Sequence, residues 1–174
     1  MYNTQNITTI RQHLLTREET VAVAESVTSG HIQAALSLAD GAIRFFQGGI
    51  TAYNLGQKTK HLHVDPIHAL ASNCVSEKVA NEMALHVCTM FSSDWGIGIT
   101  GYATPVPELN INHLFAFYAF AYHGKIVHAR RIDSRVQPVL SVQQYFTDSV
   151  LEDFIHCLHP ELKMVQGFSA PEKL

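Results

Sequence analysis

The chain has 174 residues, with 12 Lys and Arg, 15 Asp and Glu, and a net charge of −3 when its 11 histidines are neutral. That length suits one domain with a sizeable core, and 47% hydrophobic against 16% charged residues is a globular balance. No Lys/Arg block suggests nucleic acid, no apolar run approaches the ~18–20 residues of a membrane span, and MYNTQNITTIRQHLL lacks the order of a secretory signal.

The expectation is therefore a cytoplasmic protein with no nucleic-acid or membrane partner. Cys74, Cys88 and Cys157 are odd in number and far apart, so they read as reduced thiols.

Residues 3–19 place Ile7, Ile10, Leu14 and Leu15 on one helical face. Residues 20–24 form a short apolar strand. Residues 30–39 are helical in pattern, and Asp40-Gly41 ends the run. Residues 44–53 read as a strand interrupted at Gly48-Gly49, where the glycines let a strand bend or pack closely. A short helix is expected over 54–61. Asp65-Pro66 opens another, with Asp as cap and Pro in the first turn.

Ser76 caps the next helix, whose stripe is Val79, Ala80, Met83, Ala84, Val87, Cys88 and Phe91. Residues 95–100 read as a strand, and the Pro-containing segment 102–110 as a loop. Residues 114–122 and 126–132 form a hairpin around His123-Gly124. Residues 138–158 carry a long helical stripe, and 159–174 read as a loose tail. Strands and helices alternate before a final hairpin. The expected fold is a single three-layer α/β/α domain over residues 1–158, with a mixed sheet.

Ligands of such sheets gather at the carboxyl ends of strands. Three of these ends are rich in polar groups: Glu25-Ser26, Tyr53-Asn54 and Thr100-Gly101. Ser26 falls between a strand and a helix N-terminus, where free backbone N–H groups converge and can hold an anion or a developing oxyanion. The same pattern suits a helix cap by Ser26, Thr28 or Ser29, and the local sequence leaves both readings open. Lys58 could serve as the base of a nucleophilic serine if burial or a neighbouring cation lowered its pKa. Tyr53 could orient that lysine, although an ordinary solvated lysine is the commoner fate. His61, His63 and His68 lack a partner cluster with ligand spacing, so neither a metal nor a cofactor is expected.

Four segments occur in a telling order: AESVTSG, FFQGGITAYNLGQK, CVSEKVANEMA and GIGITGYATP. Together they resemble the C-terminal domain of the CinA competence/damage-inducible protein family, which also occurs as a stand-alone nicotinamide-nucleotide amidase. The resemblance covers about residues 5–158. It implies a compact α/β/α fold, a homo-oligomer of two or more copies, and a small-molecule nucleotide substrate. The implied activity is deamidation of nicotinamide mononucleotide to nicotinate mononucleotide and ammonia by a serine–lysine pair without metal.

Carried over by position, the nucleophile falls on Ser26, the base on Lys58 and the family tyrosine on Tyr53. Glu25, Thr28, Ser29, Gly30, Thr100, Gly101 and Arg135 fall on substrate-binding positions. The backbone N–H groups of residues 28–30 are the expected oxyanion donors. Several positions depart from the family pattern. Val27 stands for cysteine and Ser29 for a glycine, and the glycine-rich loop has become GYATPVPELN. The family's second arginine corresponds to Leu140. These departures keep open a second class of function, a non-catalytic relative that binds a nucleotide or a protein partner.

Overall fold

Val21 and Val23 enter one hydrophobic cluster and Ala22 and Ala24 another, because side chains alternate across a strand. They belong to β1 (Val21–Glu25), every residue of which is buried. A strand buried on both faces needs a cover on each, and helices supply both. The computed structural model describes residues 2–159. Apart from His159, the tail expected over 159–174 lies outside the described residues.

The remaining strands are β2 (Phe46–Thr51), β3 (Trp95–Tyr102), β4 (Leu114–Tyr122) and β5 (Lys125–Ser134). Their order in the sheet is β2-β1-β3-β4-β5. β1 runs parallel to β2 and β3, whereas β4 is antiparallel to β3 and β5 to β4. The sheet is thus mixed, as the strand pattern implies.

On one face lie α1 (Thr4–Arg17), α2 (His31–Ser37) and α6 (Val139–Leu158), packed through Ile10, Leu36, Phe146 and Phe154. On the other lie α3 (Leu55–Leu62), α4 (Pro66–Ala71) and α5 (Glu77–Phe91). Here the contacts are smaller, with Ala22, Ala24, Ala80, Ala84 and Ala119 prominent. Small residues let α5 sit close to the sheet. A Cβ at Gly96 or Gly98 of β3 would run into the carbonyl oxygens of Ala84 or Ala80 on α5. The alternation Gly96-Ile97-Gly98-Ile99 therefore gives β3 one flat face and one bulky face.

The caps agree with the sequence. Asp65 accepts from the N–H of Ile67 at 3.0 Å, and Ser76 from that of Val79 at 3.2 Å. β1 ends one residue later than expected, at Glu25. This charged residue can stay in a buried strand because its carboxylate accepts hydrogen bonds from α2. β2 starts later than expected, because Ala42–Arg44 form a 3-10 turn. At Gly48, φ is +118°, and the β1–β2 register shifts nearby, which accounts for the glycine interruption.

The apolar strands 95–100 and 114–122 are interior to the sheet, not edges. Their lack of charge thus reflects burial. The outer strand β5 carries Lys125, Arg130, Arg131 and Asp133, as a protected edge does.

Candidate active site

The carboxyl ends of the parallel strands β1, β2 and β3 open onto a cavity of about 370 Å³. Ser26, Tyr53, Lys58, Thr100 and Gly101 line it. Five positions from three separate parts of the chain thus converge where the strand pattern places a ligand.

Ser26 follows directly on β1, and Lys58 is the fourth residue of α3. Asn54 fixes the start of α3, its Oδ1 accepting from the Gln57 N–H at 3.0 Å. The helix then turns Lys58 inward, leaving it only 1% exposed. Its Nζ donates to Ser26 Oγ at 2.7 Å, to the Ala52 carbonyl at 3.0 Å and to the Tyr53 carbonyl at 3.4 Å. All three partners are neutral, and among the described residues no ion pair involves Lys58. Burial pushes its pKa down from 10.5 to about 8, against an opposing pull from Cys74. A buried amine with a lowered pKa, in contact with a serine hydroxyl, is the arrangement that general-base activation requires.

The turn after Ser26 is shaped by Glu25. Fully buried, its carboxylate accepts from the N–H groups of Gly30 at 3.0 Å, Ile32 at 3.1 Å and Gln33 at 2.9 Å. It thus supplies α2 with the cap that the helix otherwise lacks. Ser29 and Gly30 both take left-handed backbone, at φ of 50° and 98°. The Ser29 N–H donates to the Ser26 carbonyl at 3.1 Å and the His31 N–H to the Thr28 carbonyl at 3.0 Å.

These bonds correct the expected oxyanion donors. Of residues 28–30, the N–H groups of Ser29 and Gly30 are already engaged. None of the turn's hydrogen bonds uses the N–H of Val27, the residue of this turn that lines the cavity beside Ser26. Glu25, Thr28, Ser29 and Gly30 build the turn and do not line the cavity. Thr28 is fully buried, and its Oγ1 has no partner.

Two other cavity residues have hydrogen-bond partners that the sequence does not specify. Tyr53 is 71% exposed at the cavity, and its carbonyl accepts from Lys58. Thr100 Oγ1 donates to the Cys74 carbonyl at 2.7 Å. It steadies a turn in which Asn73 and Cys74 are both left-handed. Arg135 is exposed and does not line the cavity, whereas Gly101 does.

The structure adds Gln143. From the second turn of α6, its Nε2 donates to the Val27 carbonyl at 3.0 Å and to Ser29 Oγ at 3.3 Å. It lies four residues after Val139 and three before Phe146, on the stripe that faces the sheet. A polar residue on that stripe was the available signal. Asn73 also lines the cavity, and its Nδ2 donates to the Tyr102 hydroxyl at 3.0 Å. Among the described residues, no group of three or more His, Cys, Asp or Glu side chains could hold a metal ion. No helix there is long and apolar enough to cross a membrane.

The model of the CinA C-terminal domain matches residues 3–157. This chain belongs to the CinA C-terminal-domain family. A CinA-like protein of Picosynechococcus sp. is 47% identical over 92 residues, or 53% of this chain and 22% of that protein. One of Thermosynechococcus vestitus is 44% identical over 89 residues, covering 51% and 21%. The chain spans about a fifth of the length of the curated CinA-like relatives it matches.

Solved CinA structures share the fold. A CinA superfamily protein of Klebsiella pneumoniae superposes with a TM-score of 0.84 at 23% identity, over 90% of this chain and 97% of that one. A competence or damage-inducible protein of Enterobacter asburiae gives 0.83 at 21% identity, over 88% and 96%.

Proposed function

We propose that this CinA-family chain is a serine–lysine amidohydrolase that deamidates nicotinamide mononucleotide, or a close pyridine carboxamide, to the carboxylate and ammonia. The observation that carries the reading is the 2.7 Å contact between a buried lysine and a strand-end serine. Family membership supports a role of this amidase-like kind.

In the proposed reaction Lys58 is neutral at the moment of attack. Its Nζ takes the Ser26 hydroxyl proton as Oγ bonds to the carboxamide carbon. The N–H of Val27, a residue that lines the cavity, is the proposed oxyanion donor. The carbon–nitrogen bond then breaks, and the leaving nitrogen takes the proton from Lys58 and departs as ammonia. Water adds to the acyl-serine, giving its proton to Lys58. Collapse releases the carboxylic acid, and Ser26 recovers its proton from the lysine. The proposal includes a small-molecule partner and a homo-oligomer, as the family resemblance implies, and the cytoplasmic setting expected from the sequence.

A second reading, a relative that binds without turnover, is favoured by the segment after Gly101. There Val106 and Ile111 exchange backbone hydrogen bonds at 2.9 and 3.1 Å, closing a small loop that contains Pro107. The N–H groups of Val106 and Ile111 are consumed inside that loop. The test is ammonia release from nicotinamide mononucleotide, with and without chelator. Chelator-insensitive release supports the amidohydrolase. Absence of release, with ligand-induced thermal stabilisation, supports the second reading.

A further inference from the structure

We infer that the cavity selects an unphosphorylated pyridine carboxamide nucleoside over the corresponding nucleotide. The inference rests on the amidohydrolase reading and narrows its substrate class. It follows from what lines the cavity. Among the described residues, Lys58 is the single cationic side chain there. Its Nζ is already committed to Ser26 Oγ and two carbonyls at the chemical end of the site.

The segments around the mouth add no cation. Residues 102–111 carry one charge, the carboxylate of Glu108, and residues 136–143 carry none. Arg135 is exposed and outside the lining. A phosphate binds most strongly through charge-assisted donors, above all bidentate arginine. The positive feature that remains is the start of α6, where Val139 lines the cavity and no side chain caps the helix. A helix end offers about half a charge, and Pro138 has no N–H to give. That is a poor match for a phosphate dianion.

Neutral groups are well represented. Asn54 spends its Oδ1 on the α3 cap, which leaves its amide N–H₂ for a ligand. Asn73 spends its Nδ2 on Tyr102, which leaves its Oδ1. Gln143 spends its Nε2 on Val27 and Ser29, which leaves its Oε1. A donor and two acceptors on neutral amides suit ribose hydroxyls, which both donate and accept. The cavity of about 370 Å³ lies at the small end of the range for ligand pockets, as a nucleoside without phosphate requires.

The test compares nicotinamide riboside with nicotinamide mononucleotide at fixed ionic strength. Ammonia release by the parent protein gives KM, and calorimetry on Ser26→Ala gives Kd without turnover. The riboside should show KM and Kd at least tenfold lower. Thr104→Arg, which adds a cation to the cavity wall, should narrow the riboside-to-nucleotide ratio at least tenfold. Equal or tighter nucleotide binding overturns the inference and leaves the amidohydrolase reading standing. No binding of either ligand, or a ratio unmoved by Thr104→Arg, also overturns it. Preferential riboside binding without ammonia release sinks the amidohydrolase and supports the selectivity.

Discussion

Lys58 Nζ lies 2.7 Å from Ser26 Oγ, and the carboxylate next to Ser26 in sequence, Glu25, is committed to capping α2. This division of labour leaves the lysine without a counter-ion. A carboxylate beside it would raise its pKa and keep it protonated. Desolvation by burial does the opposite.

Activity should therefore rise with pH through about 8, where Lys58 loses its proton. Roughly a tenth of it is neutral at pH 7 and about half at pH 8, by the usual titration relation. A kcat/KM profile with a single ascending limb near pH 8 is expected. A profile flat from pH 6 to 9 contradicts Lys58 as the base.

Stability should respond in the same direction. The unfolded chain holds the Lys58 proton up to its ordinary value of 10.5, while the folded chain releases it near 8. Between those values the unfolded state binds more protons, so stability rises with pH. The penalty of burying the ammonium is fully present below about pH 8. Lys58→Met should then abolish activity yet be more stable near pH 6, by roughly 1–3 kcal/mol once its orphaned hydrogen bonds are discounted. Urea midpoints of the two proteins check this, and a less stable Lys58→Met protein rules out the desolvation account.

Glu25 should behave as a structural residue. Glu25→Ala removes an acceptor of three N–H groups, and the charge-assisted share of such bonds gives a loss of about 2–4 kcal/mol. Any folded fraction should lose kcat more than KM, because the Ser26 turn shifts while the cavity walls stay. A direct substrate contact would move KM first.

Gly96→Ala tests the close approach of α5. The added methyl group meets the Cys88 sulfur and the Ala84 backbone, and the latter cannot move without shifting the helix. A cost of roughly 1–3 kcal/mol is expected by thermal or urea unfolding. An unchanged midpoint would mean that α5 stands farther from β3.

Much of this architecture was legible in the residues. The apolar strand read over residues 20–24, the caps at Asp65 and Ser76, and the stripe of α5 follow from local chemistry. Four ordered segments brought Ser26 and Lys58 to notice before any geometry. What escaped was the choice of hydrogen-bond partners, which depends on contacts far apart in sequence. Nothing near Thr100 says that its hydroxyl will reach the Cys74 carbonyl. Nothing near Tyr53 says that its carbonyl will accept from Lys58. Glu25 falls on a substrate-binding position by the family resemblance alone, and its hold on the N–H groups of Gly30, Ile32 and Gln33 shows only once α2 is placed.

The central claim is that Ser26 is a nucleophile activated by Lys58, and the most direct measurement is kcat/KM for ammonia release by Ser26→Ala beside the parent. Circular dichroism would establish that the variant keeps the fold. Loss of a nucleophile costs several powers of ten, so a fall on the order of 10³ or more is expected. Activity within tenfold of the parent would contradict the account.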